Sequence, residues 1–508
     1  MFLFNKQVCL FNVKCTRVLF SASVSSVNSR RSLSFRDIPR APSFPFVGSL
    51  LHILKKKPTY FHEYIDDLHK KLGPIFIDKI WDVELVHIAD PDANFELYTH
   101  EGKEPLHAVP DMWKLHSEFR NYKRGLFFMD GKEWRKARTP INLTLSKRDS
   151  LGEHVKSIAS ITEEFIDTWK YNPPKDLKYH LYCWNVECIG STALGMRLGF
   201  LDKLKCFNKF DDKHVEEDLF ARNACNLFPT SGALLFKPVS LYKLLRIKSW
   251  RLYCEAADAE IHYGEKCVTR ALKEFLSGTP SESTKHSMMY KLYQTGELDV
   301  NTIRRIFVEI FLASAGSTSN AAVWVLYSLG RNPKVAERVR QEISSVSTEE
   351  LTLDTFNSKL PYLSGVIRES LRIYPITAFI NRILTRDAEM CGYHIPAGTF
   401  VMASMYTMGR NPAYFPYPDS FMPERWQPRK KSPEGENLIG SRRAYSPFAL
   451  GGRSCPGKNV ALLDLKILVF EALKAYEWTT EEVGMIFNLV TMPSKKVDLI
   501  LKPLTKTE

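Results

Sequence analysis

Ten residues near the C-terminal end decide how this chain reads: Phe448-Ala449-Leu450-Gly451-Gly452-Arg453-Ser454-Cys455-Pro456-Gly457. A lone cysteine sits in a glycine-rich loop, two residues after an arginine and just ahead of a helical pattern. Gly451 and Gly452 remove side chains where backbone must pass close to a flat group. Pro456 suits the first helical position, where a missing N–H costs nothing. Cys455 then falls at or beside the helix N-cap, where free amides and the dipole stabilise a thiolate. Arg453 can fork onto a carboxylate with two hydrogen bonds, and Phe448 can shield the sulfur from water. A bare cysteine beside a glycine turn is ordinarily a buried structural thiol. The full F-x-x-G-x-R-x-C-x-G spacing suits instead a thiolate bound to one face of a planar iron cofactor, an arrangement that favours O–O cleavage.

Three further motifs stand upstream. They are Trp134-Arg-Lys-Ala-Arg138, Glu369-Ser-Leu-Arg372 and Phe421-Met-Pro423-Glu424-Arg425-Trp426. Together with the cysteine loop, in this order, they resemble the cytochrome P450 superfamily over roughly residues 37–503. The resemblance implies a mainly α fold with small β-sheets, built as a single large haem-binding domain. It implies haem b (iron protoporphyrin IX) with Cys455 as axial ligand and Phe448, Gly451 and Gly457 lining the cofactor. Arg453, Trp134, Arg138 and, in the strand after the E-x-x-R helix, Arg382 would meet the propionates. Glu369, Arg372 and Arg425 would form a buried ion-pair network beneath it.

The chain has 508 residues, 44% of them hydrophobic, enough for a sizeable core. No Gly/Ser linker or charge run divides residues 49–508, which read as one catalytic domain. The formal charge is +13. Residues 1–36 supply six basic residues and no acid, which leaves +7 on the body. A basic body suits an acidic protein partner or an anionic membrane surface. No dense basic patch with interleaved aromatics points to nucleic acid. The ten cysteines show neither paired-framework nor zinc spacing, which suits reduced thiols in an intracellular compartment.

Residues 1–36 also carry seven serines, and Lys6, Lys14 and Arg17 interrupt their apolar residues. This is the composition of a mitochondrial transit peptide, with cleavage expected between Ser29 and Phe35. The unbroken apolar run that a secretory signal or a spanning anchor needs is missing. A stiff proline-rich lead-in follows at residues 37–48.

Helical periodicity covers 59–72, 152–170, 249–277, 300–331 and 335–344. Short strand-like runs fall at 75–80, 85–89, 379–384 and 399–404. Residues 277–287 read as a polar, mobile loop. Between Ile310 and Gly330 there are 21 residues without a charge, long enough to span a membrane. Ser314, Gly316, Ser317, Thr318, Ser319 and Asn320 cluster in the middle, which points instead to a buried helix passing over a cofactor.

The family places an acid followed by threonine in this helix, to pass protons to the oxygen site. Here the acid position holds Gly316 and the threonine position Ser317, followed by Thr318. Ser317 and Thr318 are therefore the candidate catalytic hydroxyls. Protons must reach them through ordered water or from an acid elsewhere.

The transit-like N-terminus implies the mitochondrial branch. Its members accept electrons from an adrenodoxin-like [2Fe–2S] ferredoxin, reduced at NADPH's expense by a flavoprotein, and use O2 as co-substrate. Arg368, Arg372 and Lys458 are candidates for ferredoxin docking, and the matrix side of the inner membrane is the expected location. Segments 106–128, 375–380 and 486–490 would line an apolar pocket for a lipophilic steroid. The run from Glu101 to Trp134 resembles the arthropod ecdysteroid 2-hydroxylases, which implies C-2 hydroxylation of a moulting-hormone precursor. A mitochondrial monooxygenase of other sterols or xenobiotics remains an alternative. So does a haem-thiolate sensor without turnover, an option raised by Gly316.

Overall fold

The computed structural model describes residues 32–145, 148–205, 215–238, 242, 247–427 and 442–504. The transit-like segment up to residue 31 lies outside the described residues. In chain order the elements that position the site are α1 (Phe61–Leu72), β1 (Ile75–Ile80), β2 (Val83–Ile88), α2 (Gly131–Leu145), α3 (Leu177–Ile189), α4 (Val215–Gly232), α5 (Lys248–Leu276), α6 (Val300–Arg331), α7 (Pro361–Ile373), β3 (Phe379–Ile383), β4 (Phe400–Ser404), α8 (Lys458–Ala475), β5 (Met485–Asn488) and β6 (Val490–Pro493). The protein is mainly helical with small sheets.

Helix α6 is the axle of the helical body. Asp299 caps its start by accepting the Thr302 amide at 2.9 Å, and Asn332-Pro333 ends it because proline cannot continue the ladder. Thirty-two residues make a rod about 48 Å long. It packs on α3, α5, α7 and α8, and 78% of its most apolar stretch is buried inside the protein. Its uncharged run is therefore core and not a membrane span. Trp324 stacks on Tyr374 with ring centroids 4.1 Å apart and ties α6 to the chain leaving α7.

The main sheet has the order β1-β2-β4-β3, with β2 and β4 parallel and the other pairs antiparallel. Side chains alternate between its faces. Ile75, Ile77, Val86, Ile88, Ile380 and Val401 enter one core, whereas Phe76, Ile80, Leu85, Phe379 and Phe400 enter another against α1. Arg382 pairs in register with Val401 and lies on the face of Ile380. The sheet edge is extended by a bridge between Leu106 and Ile383, which brings the 106–128 segment to β3.

Residues 277–287 are not a featureless loop. Glu282–His286 form a short helix whose cap, Ser281, accepts the Thr284 amide, and Thr284 is fully buried. The serine and threonine content that reads as solvated here serves capping.

Candidate active site

The cysteine loop doubles back on itself. The Cys455 amide donates to the Phe448 carbonyl at 2.9 Å, and Ser454 N–H to Gly451 O at 3.2 Å. Gly451 takes φ +72°, a conformation that favours glycine. Helix α8 begins at Lys458 with Gly457 as N-cap, so Pro456 stands ahead of the cap and not at the first helical position. The reason is that the first helical acceptor is the Gly457 carbonyl, bonded by Ala461 N–H. Cys455 is thus two residues upstream of the cap, yet the amides of Gly457 and Lys458 still reach its sulfur. Burial pushes the Cys455 thiol up, while those amides and the charges of Arg138 and Lys458 pull it the other way. Cys455 lies deep in the protein and still presents an exposed surface. It therefore borders an internal cleft.

Helix α6 carries an accessible stripe of its own. Ala313 is exposed and Ser317, one turn on, is half-buried, while Leu312, Ala315, Gly316 and Thr318 around them are buried. Ser317 Oγ donates to the Ala313 carbonyl at 2.7 Å, so the hydroxyl lies along this stripe. Thr318, a third of a turn away, is only 4% exposed and belongs to the core side. At Gly316 a β-carbon would come within 2.5 Å of Phe228 Cε2. The aromatic ring from α4 fills the space where the family's acid would stand.

Three arginines converge behind the loop. Arg138, on α2 one turn from Trp134, donates through Nη2 to the Ser454 carbonyl, and its Nε is buried without a partner. Arg453 donates to the Pro105 carbonyl (2.9 Å), the Met129 carbonyl (2.8 Å) and Asp130 Oδ1 (2.7 Å). Its guanidinium lies 4.4 Å from the Trp134 ring, and Nη1 is left unpartnered. Burial pulls Arg453 down to about 10, with Asp130 acting the other way. Arg382 donates through Nε to Glu101 Oε2 (2.7 Å), through Nη1 to Asn381 O (2.8 Å) and through Nη2 to Leu450 O (3.3 Å), which leaves one N–H on each terminal nitrogen. His107 stands beside them with both ring nitrogens unpartnered, and burial with the nearby Arg453 and Arg382 charges pushes its imidazole down to about 3.

The residues fit a haem. A soft sulfur beneath two amides suits the axial position. The unspent donors Arg138 Nε and Arg453 Nη1 suit a pair of carboxylates. Small residues are accessible beside the sulfur, at Gly451 and Gly452, and on the α6 stripe, at Ala313. Gly451 has a second reason to lack a side chain: a β-carbon there would stand 2.0 Å from the Glu101 carboxylate.

Below the loop, Glu369 is the hub of a fully buried network. It accepts from Arg372 Nη2 (2.7 Å) and Nε (3.0 Å), Arg425 Nε (3.1 Å), Trp426 Nε1 (3.0 Å) and the Met422 amide (3.0 Å). Arg372 also binds the Gly409 and Pro418 carbonyls, so it is unavailable to an external partner.

The substrate-side segments are likewise joined. Thr491, in β6, donates its amide to Ile376 O (2.9 Å) and its hydroxyl to Pro375 O (2.8 Å). Phe379 and Phe487 pack edge to face, the Ala108 amide donates to Asn381 Oδ1 (2.7 Å), and Trp113 Nε1 donates to Ser231 Oγ on α4 (3.1 Å). Sequence reasoning gave no contact of their own to Glu101, Asp130 or Phe228. All three act on partners more than 80 residues away, and no local pattern marks such pairs.

Comparison with known proteins agrees with this geometry. The family model Cytochrome P450 matches residues 39–501. Cytochrome P450 315a1, mitochondrial, of Drosophila melanogaster is 29% identical over 494 residues, covering 92% of this chain and 89% of the relative. Cytochrome P450 11B2, mitochondrial, of Mus musculus is 28% identical, with 93% of each covered. The mitochondrial cholesterol side-chain cleavage enzyme of Rattus norvegicus is 27% identical, with 95% and 91% covered. With a cysteine loop, a cation cradle and a buried glutamate hub in the family's order, the chain belongs to the cytochrome P450 family of monooxygenases.

Proposed function

We propose that this chain is a mitochondrial haem-thiolate steroid hydroxylase, and more narrowly one that hydroxylates C-2 of an ecdysteroid precursor. The observation that carries the reading is the accessible Cys455 in its glycine-rich loop, with buried donors of Arg138 and Arg453 left over beside it. A haem held by Cys455 supplies O2 activation there, driven by electrons from outside the protein. Arg138 and Arg453 would hold its carboxylates, and Phe448 would exclude water from the sulfur. Ser317 would hold a proton at Oγ and pass it on through water. The Phe228 ring keeps the neighbouring face dry. The segments of Ile376, Phe379 and Phe487, whose side chains are mostly buried, would supply apolar lining for a flat lipophilic substrate.

The steroid class is supported by the likeness to the mitochondrial cholesterol side-chain cleavage enzyme. The ecdysteroid assignment is supported by the Glu101–Trp134 segment and by the Drosophila relative. Residues 1–36 would direct import. Electrons would come from an adrenodoxin-like ferredoxin, itself reduced by NADPH through its reductase. Arg368 and Lys458 are exposed and provide cations for docking. Phe44, Phe46, Leu51 and Leu54 are exposed beside Lys55–Lys57, which suits a peripheral seat on the matrix face of the inner membrane. The test is turnover of a steroid panel with ferredoxin and its reductase. Hydroxylation of a 2-deoxyecdysteroid at C-2 supports the narrow reading. Turnover of other sterols only would remove it, and a haem-loaded protein that turns over nothing would favour a sensor.

A further inference from the structure

A polar cavity that the catalytic account does not use lies where the end of α1 meets the short helix Met405–Arg410 that follows β4. Its volume is about 390 Å³, many times the roughly 30 Å³ that a water occupies in the liquid. Arg410 sets it apart. Nη1 of this residue is buried without a partner, and the guanidinium rests over the ring of Tyr406, 4.1 Å from the centroid. Among the described residues Arg410 forms no ion pair. Burial pulls the proton affinity of the guanidinium down and the Arg372 charge adds to this, while Tyr406, Tyr374 and Asp419 act the other way. A buried cation without an acceptor is costly, and an anion in the cavity relieves that cost.

The rest of the lining adds donors. Lys70 Nζ pairs with Asp66 Oδ2 at 2.7 Å and keeps two N–H groups. Thr407 Oγ1 accepts from Ser404 Oγ at 3.0 Å, which leaves its own O–H to donate. Asn411 Oδ1 accepts the Ala413 amide at 2.9 Å, which leaves its NH2 group. Two carboxylates border the cavity, and both are engaged. Asp66 is held by Lys70. Asp90 accepts the amides of Asp92 (3.0 Å) and Ala93 (2.8 Å) and the Tyr414 hydroxyl (3.3 Å). Guanidinium, ammonium, hydroxyl and amide donors on separate residues suit a tetrahedral oxyanion better than a planar carboxylate, which one arginine fork already satisfies.

We propose that this cavity binds phosphate, as the free ion or as a small phosphate monoester, with Arg410 as the principal ligand and Lys70, Thr407 and Asn411 as further donors. The site does not depend on the haem reading, but it is joined to the Glu369 hub. Arg372 Nη1 holds the carbonyl of Gly409, next to Arg410 in sequence, at 2.6 Å, and Arg372 Nη2 binds Glu369. Occupancy therefore stabilises the folded state in which both are formed.

Equilibrium dialysis of the full chain against labelled inorganic phosphate, at constant ionic strength, tests this. Wild type is expected to bind about one phosphate per chain, and Arg410→Gln to bind it about tenfold more weakly. Lys70→Gln, at an exposed residue, should weaken binding about twofold. Phosphate should also raise the thermal midpoint of wild type relative to chloride and leave that of Arg410→Gln unmoved. Absence of saturable binding by wild type, or equal binding by Arg410→Gln, overturns the proposal. So does displacement of the phosphate by acetate at equal concentration. Displacement by glycerol 3-phosphate at equal concentration assigns the site to a monoester, and retention of the label assigns it to the free ion. Should Arg410→Gln not fold, Arg410→Lys takes its place: loss of the fork is expected to weaken binding about threefold or more, and unchanged affinity would overturn the assignment.

Discussion

Gly316 is the sharpest departure from the family's pattern, and the structure turns it into a sign reversal. A β-carbon at this position would stand 2.5 Å from Phe228 Cε2. Ordinary carbon contact needs about 1 Å more, so the ring or the helix must move. Forcing one methyl into a filled site costs about 1–3 kcal/mol. Against this, alanine is favoured over glycine in a helix interior by about 0.5–1 kcal/mol. Gly316→Ala should therefore destabilise the wild-type protein by roughly 1–2 kcal/mol. In a Phe228→Ala background the obstacle is gone, and the same substitution should stabilise by up to about 1 kcal/mol. Large haem proteins unfold irreversibly, so the four variants are compared as midpoints of Soret loss at one fixed heating rate. The expected result is a lower midpoint for Gly316→Ala alone and a higher one when it is added to Phe228→Ala. A shift of the same sign in both backgrounds would show that the ring does not define this position. It would also break the argument that Phe228 replaces the acid.

Three more outcomes follow from the same contacts. Glu369→Ala removes the acceptor shared by two buried guanidiniums and an indole. Breaking one side of such a pair costs about 3–5 kcal/mol, a large share of a domain's stability, so haem-loaded protein should not accumulate, as an absorbance ratio of Soret to protein will show. Ser317→Ala should uncouple NADPH consumption from product, and unchanged coupling would remove Ser317 from the proton route. Asp464 is 2% exposed on α8, and burial pushes its carboxyl up to about 8 from 3.8. The folded protein prefers this group protonated, so its contribution is fully favourable below pH 4 and is lost as pH rises towards 8. Asp464→Asn should therefore raise thermal midpoints at pH 8 more than at pH 5; an equal effect at both would deny the shift.

How much of this was legible in the sequence depends on the range of the interaction. Helix α6 is readable to its ends because Asp299, Asn332 and Pro333 are local signals, and the small polar cluster within it predicts a core helix, which it is. The motif residues Trp134, Arg138, Glu369, Arg372, Arg425, Arg453 and Cys455 are readable because their spacing is fixed within single elements. The place of Pro456 was not, since the helix start depends on which carbonyl captures the Ala461 amide. The full reason for Gly451 was not either. It removes a side chain where a carboxylate from residue 101 enters, and a contact across 350 positions leaves no periodic trace. Arg382 is expected to meet a propionate by resemblance, but its bonds to Glu101 and to the Asn381 and Leu450 carbonyls carry no local sequence signal. Phe228 was invisible for the same reason: only the packing of α4 on α6 explains why position 316 must be glycine.

The central claim is that Cys455 grips haem iron as a thiolate inside this cleft, and the reduced-CO difference spectrum of the full-length protein tests it most directly. Wild type should show the long-wavelength Soret band of a thiolate-ligated haem, and Cys455→His should bind haem without that band. A Cys455→His variant that retained the band, or a haem-loaded wild type that lacked it, would contradict the account.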